Sequence, residues 1–287
     1  MPPVDQRCAL CATQETRALN LESRLARIPF GGRIVACTGC GLRRVDPQPT
    51  AAQLEALYLD AVDAYREAGL DYVGGTTSAP AYLLERIEEL ERRLGSPGRL
   101  LDVGAGAGTL LQLASDRDWA VVGTERSAAS AASLRARGFD IRLGDLSNAG
   151  WPDGTFDAIH LNHVLEHLPD PRASLRAARR LLRPGGLLAI EVPWEFADLP
   201  FQVRRVFGLQ RPHRLPSQHL WFFSPATLSR TVGAAGLEVV SVSLRRDCDD
   251  PQAARRLAKL VVERIERAAG RGPLIVLLAR APLPTDA

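Results

Sequence analysis

From Arg99 onward, short apolar runs alternate with stretches in which apolar residues recur every three or four positions. Short runs bounded by glycine, proline and aspartate read as buried strands, and the wider spacing reads as one face of a helix. Strands are expected at 99–104, 119–125, 139–144, 156–161 and 186–192, with helices at 108–117, 127–137 and 171–183. Helix 225–235, strand 237–245, helix 251–268 and strand 273–280 complete the pattern. Strands separated by helices pair in parallel, and the helices then cover both faces of the sheet. The expected fold class is therefore α/β.

An amphipathic helix precedes this region, with Leu83, Ile87, Leu90 and Leu94 on one face. Gly74, Gly75, Thr76, Thr77 and Ser78 form a joint before it. Pro47 and Pro49 break the chain further upstream, and Thr50 reads as the N-cap of one or two helices over 51–69. The pattern divides the chain into a small module at 1–48, a helical linker at 49–79 and an α/β domain at 80–287.

Composition narrows the class. With 46% hydrophobic and 24% charged residues in 287, the chain reads as a globular protein whose core needs no disulfides. A net charge of +3 is too small to argue for nucleic acid. Apolar stretches such as Leu274 to Ala279 are far too short to span a bilayer, and the opening Met-Pro-Pro-Val-Asp lacks the apolar run of a signal peptide. The expectation is a cytoplasmic protein with no membrane partner and with reduced thiols.

Against that background the cysteines matter. Cys8 and Cys11 form one pair, Cys37 and Cys40 another, with 25 residues between the pairs. Two such knuckles are the spacing of a zinc ribbon, because each tight turn offers two thiolates of a tetrahedral set. Four protein ligands close the coordination sphere, so this Zn2+ would be structural. The alternative is a set of free cysteines in a small domain. Cys248 stands alone.

The main chemical signal is Leu100-Leu101-Asp102-Val103-Gly104-Ala105-Gly106-Ala107-Gly108, a strand running into a glycine turn before a helix. Glycine lets the backbone turn tightly and approach a ligand closely. Dinucleotide enzymes use Gly-x-Gly-x-x-Gly at this place, whereas here Thr109 stands where the last glycine would be, which argues against NAD or FAD. Glu125 ends the second strand 21 residues after Gly104, near the ~20-residue offset of an acid that binds ribose hydroxyls. A carboxylate accepts two hydrogen bonds from a vicinal diol. The other reading of Glu125 is a solvated acid at a helix start.

The glycine loop, Glu125, Gly144-Asp145-Leu146, Phe156-Asp157-Ala158-Ile159 and Leu182-Arg183-Pro184-Gly185-Gly186-Leu187-Leu188, in this order, resemble the class I S-adenosylmethionine-dependent methyltransferases. The resemblance covers about residues 80 to 280. It implies a Rossmann-like seven-stranded methyltransferase sheet with its last strand antiparallel. It also implies S-adenosyl-L-methionine as cofactor. Asp102, Gly104, Ala105, Gly106 and Gly108 would meet the methionine part, Glu125 the ribose and Asp145 the adenine amino group, with Arg126 and Leu146 also among the cofactor-binding residues.

Asn162-His163-Val164-Leu165-Glu166-His167-Leu168-Pro169-Asp170-Pro171 follows the fourth strand. Ligands of an open parallel sheet sit beyond the carboxyl ends of its strands, so these side chains stand at the mouth of the site. Three readings compete. Asn162 and His163 would line the cofactor while His167, with Glu166 beside it, faces the acceptor as a general base. His163, Glu166 and His167, at i, i+3 and i+4, would bind a metal from one helical face, as in the Glu-x-x-Glu-His site of some related O-methyltransferases. In the third reading, Glu166 and His167 simply bond nearby backbone.

Residues 193–223 form a long connection, the length of a lid. Trp194, Phe196, Phe201, Arg204, Arg205, Arg211, His213, Arg214 and His219 lie in it, and such aromatics and arginines suit an anionic substrate such as a nucleotide-linked sugar. A solvated basic loop is the other reading. Its end, Ser217-Gln218-His219-Leu220-Trp221-Phe222-Phe223-Ser224-Pro225, resembles a Glu-His-x-x-x-Phe-Ser segment of related methyltransferases in which the histidine faces substrate. Gln218 replaces the acid of that segment, and His219 joins His167 as a candidate base.

A zinc ribbon ahead of this kind of domain resembles a bacterial arrangement whose members act on sugars or secondary metabolites. The expected reaction is methyl transfer to an oxygen, or less often a carbon, of a small polar substrate. Two rivals stand beside it. One is an RNA base methyltransferase with the ribbon as RNA-binding element, although the first 48 residues hold seven arginines, no lysine and four acids, a weak basic patch. The other is a non-catalytic binding protein on the same fold.

Overall fold

The computed structural model describes residues 8, 10–11, 13–19, 32–50, 52–56, 81–146, 150–196, 218–245 and 274–284. Joint 74–78, helix 251–268 and most of segment 193–223 lie outside these residues, as does Cys248.

Seven strands form the main sheet: β4 (Arg99–Val103), β5 (Ala120–Glu125), β6 (Asp140–Leu143), β7 (Phe156–Asn162), β8 (Leu182–Pro193), β10 (Glu238–Arg245) and β11 (Leu274–Arg280). Their order is β10-β11-β8-β7-β4-β5-β6. The pairs β4–β5, β4–β7, β5–β6 and β7–β8 are parallel, whereas β11 runs antiparallel to both β8 and β10. This is the Rossmann-like methyltransferase sheet that the sequence implied. Leu101, Phe156, Ile159, Leu188, Ile190 and Ile275 are fully buried, as required of strands covered on both faces.

Among the described residues, five helices cover the sheet: α1 (Ala81–Leu94), α2 (Thr109–Ser115), α3 (Ala128–Ala136), α4 (Pro171–Leu181) and α5 (Pro225–Ala234). Leu83, Ile87 and Leu90 of α1 are buried as the spacing predicts. Leu94 is only half-buried, and Arg86 takes a place on the inner face beside them. Helix α4 stops at Leu181, two residues earlier than expected, and the chain enters β8 at once. Pro184 explains the stop: it cannot continue a helix and it pushes Arg183 out of helical conformation. Asp170 caps α4 by accepting from the N–H of Ala173 at 2.8 Å, and Ser224 with Thr227 forms a capping box on α5. Thr50 caps the helical residues 52–56 in the same reciprocal way, through the side chain of Gln53.

A second sheet of four strands has the order β1-β2-β3-β9, from β1 (Thr16–Ala18), β2 (Arg33–Cys37), β3 (Arg43–Asp46) and β9 (Trp221–Phe222). Its last strand comes from far along the chain, with Arg43 opposite Phe222 and Arg44 opposite Trp221. The N-terminal module is thereby stitched to the segment that precedes α5. Cys8, Leu10, Cys37 and Leu42 share a buried cluster with Leu165, Leu168, Leu220 and Trp221 of the large domain. No helix among the described residues is long and apolar enough to cross a membrane.

Candidate active site and cysteine cluster

The glycine turn leaves β4 where the parallel strands end. Gly104, Gly106 and Gly108 have φ of +69°, +52° and +75°, a region that side chains other than glycine rarely adopt. A Cβ on Gly108 would stand 2.4 Å from Leu134 Cδ2, and one on Gly104 would stand 2.8 Å from Val164 Cγ2. At Gly106 the space is open: the nearest atom to a Cβ would be the Gly104 carbonyl, 3.9 Å away. Two glycines thus pack the loop tightly while the middle one has open space beside it.

Glu125 is buried at the end of β5 and reaches across to this loop. Its Oε2 accepts from the N–H of Gly106 at 2.9 Å, and its Oε1 accepts from the N–H of Ser127 at 2.8 Å. The spacing argument that joined the acid to the glycines is therefore realised as a direct contact. Asp102 is also buried, and its Oδ1 lies 2.8 Å from His160 Nδ1 on the neighbouring strand. Sequence reasoning missed this pair, although a histidine inside the apolar run of β7 was a signal that a polar partner had to exist.

The other expected cofactor residues sit around the same end of the sheet. Arg126 is exposed after Glu125, Asp145 is half-buried just after β6, and Leu146 is buried in the main core. Asn162 ends β7 and donates from Nδ2 to the Tyr82 hydroxyl at 3.4 Å, while its buried Oδ1 has no hydrogen-bond partner. His163 is exposed, with a left-handed φ of +52°.

That backbone turn changes the geometry of the next residues. Leu165–His167 is a single 3-10 turn, so His163 does not continue onto one α-helical face with Glu166 and His167. His163 Nδ1 still lies 3.3 Å from Glu166 Oε1, and His167 Nε2 lies 3.8 Å from it. Glu166 is fully buried, and neither carboxylate oxygen receives a well-aligned hydrogen bond. Burial opposes its ionisation, yet His167, His163 and His219 together hold the carboxyl below the usual carboxylate range. Burial in turn pushes the His167 imidazole below its usual value.

His167 Nδ1 lies 3.0 Å from the Gln218 carbonyl oxygen, which only accepts, so the proton is on Nδ1 and the lone pair on Nε2. His219 is buried with its ring centroid 4.7 Å from that of His167, and its Nδ1 lies 2.5 Å from Glu195 Oε1. Gln218 indeed lacks the acid of the resembled segment, but Glu195, from just beyond β8, supplies a carboxylate to His219. Burial raises the Glu195 carboxyl, partly offset by His219. No local motif announces Glu195; only the fold brings it to His219. Of the long connection, Trp194, Phe196 and His219 are described, while Phe201, Arg204, Arg205, Arg211, His213 and Arg214 lie outside the described residues.

The two cysteine pairs converge. Cys8 Sγ lies 3.4 Å from Cys40 Sγ, Cys11 Sγ lies 3.4 Å from Cys37 Sγ, and all four sulfurs fall within 4.8 Å of one another. A tetrahedral zinc–thiolate site requires sulfurs roughly 3.8 Å apart. Burial raises the thiols of Cys8 and Cys40, whereas at Cys11 hydrogen bonds with Thr13, Cys37 and Cys40 together outweigh burial and lower the thiol to about 6.

A family model described as a methyltransferase domain matches residues 77–242, more than half of the chain. The chain belongs to that family. It is 33% identical over 184 residues to a protein-L-isoaspartate O-methyltransferase of Methylorubrum populi, covering 61% of this chain and 81% of that protein. It is 31% identical over 154 residues to a ubiquinone biosynthesis O-methyltransferase of Xanthomonas campestris, covering 50% of this chain and 63% of that protein. Another relative, from Streptomyces fradiae, is matched over only 40% of its length, so the chain spans less than two thirds of some of its curated relatives. Among solved structures, the Burkholderia thailandensis 1,6-didemethyltoxoflavin-N1-methyltransferase with bound S-adenosylhomocysteine shares the fold. Its TM-score is 0.56 at 19% identity, over 89% of this chain and 97% of that one.

Proposed function

We propose that this protein transfers a methyl group from S-adenosylmethionine to an oxygen, less often a carbon, of a small polar acceptor such as a sugar, a nucleotide-linked sugar or a secondary metabolite. The observation that carries the reading is the contact of Glu125 with Gly106, which puts a carboxylate beside the open side of the glycine turn at the end of the parallel strands. The fit is chemical as well as spatial: Glu125 has acceptor capacity for a diol, and Asn162 Oδ1 is buried without a partner.

The cofactor supplies an already activated methyl group, so the chain's own task is orientation and proton removal. Glu125 orients the ribose, Asp102 and the glycine loop receive the amino-acid end, and Asp145 with Leu146 borders the adenine. The acceptor's proton leaves toward the Glu166, His167 and His219 cluster, where His167 keeps a lone pair on Nε2. The arginines between 193 and 223 suit an acceptor that carries phosphate or carboxylate. The four cysteines, kept reduced in the cytoplasm, hold a structural Zn2+, whose binding displaces their protons.

Calorimetry with S-adenosylhomocysteine tests the cofactor, and radiolabelled methyl transfer across acceptor panels tests the reaction. Absence of binding by the purified chain, or unchanged turnover when His167 and His219 are both replaced by alanine, would overturn the reading.

A further inference from the structure

We infer that Glu166, His167 and His219 form a second metal site, separate from the cysteines, which takes a divalent cation of the zinc type. One ligand atom from each lies within 4.8 Å of the others. The set is one carboxylate and two imidazoles, a combination that binds first-row divalent ions.

Three further observations favour an ion over a bare hydrogen-bonded cluster. First, both histidines are held from behind. His167 Nδ1 faces the Gln218 carbonyl and His219 Nδ1 faces the Glu195 carboxylate, at 3.0 and 2.5 Å. A metal-bound imidazole characteristically donates its other N–H to a carbonyl or a carboxylate, which fixes the ring and leaves Nε2 for the ion. Second, Glu166 is fully buried, yet both its oxygens lack an aligned hydrogen bond. A buried carboxylate needs a cation or donors; His163 Nδ1 at 3.3 Å and His167 Nε2 at 3.8 Å both approach Oε1 and leave Oε2 for an ion. Third, the two rings lie side by side, with centroids 4.7 Å apart and planes 71° apart, although they come from segments far apart in the sequence.

Three protein ligands leave a coordination position open, which distinguishes this site from the closed set of four cysteines. The site is assembled from two distant segments, the turn after β7 and the residues before β9. Its role in the proposed reaction rests on the methyltransferase reading: an acceptor oxygen on the open position would be acidified by the ion and would release its proton to solvent water, with His167 then serving as ligand in place of base. Binding of the ion does not rest on that reading.

The test uses the full chain, stripped with a chelator and titrated with Zn2+ or Co2+ alone. Glu166→Gln, which keeps shape and removes charge, is expected to bind one equivalent fewer than the wild type. The cobalt–thiolate absorption of the cysteine set should be unchanged. His167→Asn and His219→Asn should do the same, and Glu195→Gln should weaken the second equivalent about 10- to 100-fold. Equal stoichiometry in the wild type and in Glu166→Gln would overturn the inference, even if a histidine variant fails to fold. S-adenosylhomocysteine affinity, measured on the same samples, separates the two claims. Loss of the second equivalent with cofactor binding intact supports this site. Cofactor binding absent from the wild type sinks the methyltransferase reading and leaves the metal count to stand.

Discussion

The N–H of Leu220 donates to the carbonyl oxygen of Glu166 at 2.8 Å, and the Leu220 carbonyl accepts from the N–H of Val45 at 2.9 Å. Trp221 adds a bond from its Nε1 to the Leu168 carbonyl, also 2.8 Å. One residue thus links the N-terminal sheet to the turn that carries Glu166 and His167. The cysteine module is expected to act on the active site through this seam. Cys40→Ser should lower the melting temperature by on the order of 10 °C and should weaken activity, although Cys40 touches no reacting group. Thermal melts with and without a chelator, alongside methyl-transfer assays, check this.

Glu125→Ala removes the acceptor for the Gly106 and Ser127 N–H groups and the expected partner of the ribose. Hydrogen bonds to a charged group contribute about 1.5–3 kcal/mol each, so cofactor affinity should fall about 10- to 100-fold. Calorimetric titration with S-adenosylhomocysteine reads it directly.

Gly104→Ala places a Cβ 2.8 Å from Val164 Cγ2 on a backbone of positive φ. The clash presses on the residue just before the 3-10 turn of Glu166 and His167. Turnover should fall more than stability, whereas Gly108→Ala, which meets Leu134 in the core, should mainly destabilise the fold. Chemical denaturation and steady-state kinetics on both variants separate the two effects.

Glu191 is fully buried in β8 and accepts from Arg86 Nε and Nη2 at 3.3 and 3.2 Å, with Arg245 as a further partner. Arg245 also lies over the Tyr82 ring, 3.6 Å from its centroid. Glu191→Ala leaves these cations facing a charge that is gone, and breaking a buried pair in this way costs about 3–5 kcal/mol. Urea denaturation should show a lower midpoint at unchanged slope.

Glu91 is held below the usual carboxylate range, chiefly by its hydrogen bonds from Arg117, with Trp119 adding a smaller contribution. A carboxyl lowered in the folded state stabilises it above the unfolded-state value, and that contribution fades as pH falls through the folded-state value. Glu91→Gln should therefore melt below the wild type at pH 7, and the gap should close on acidification below the ordinary value of 4.5. Melting curves across pH check the sign.

The parallel sheet and the glycine loop were legible because their rules are local: short apolar runs, glycines at positive φ, and an acid one strand away. Gly106 and Glu125 meet as their spacing implies. The partnership of His219 with Glu195 was not legible, because the two residues meet only when the end of β8 and the approach to β9 come together. Strand β9 escaped notice for a related reason: two residues are too few to show alternation. The left-handed turn at His163 also broke the helical spacing that the sequence suggested. Arg86 shows the limit of periodicity, since a charged residue on an apolar face is explained only by Glu191 on another strand. Within β8, however, Glu191 was itself a clue, as an acid inside a buried run demands cations.

The late arrival of β9 has a consequence for synthesis on the ribosome. Strand β3 is made long before its outer edge can be covered, because Trp221 and Phe222, which pair with it, lie far along the chain. During translation the cysteine module is therefore an unfinished sheet with an open border. His219 and β9 are made one after the other, so a nascent chain truncated before residue 219 has neither the closed sheet nor the complete histidine cluster.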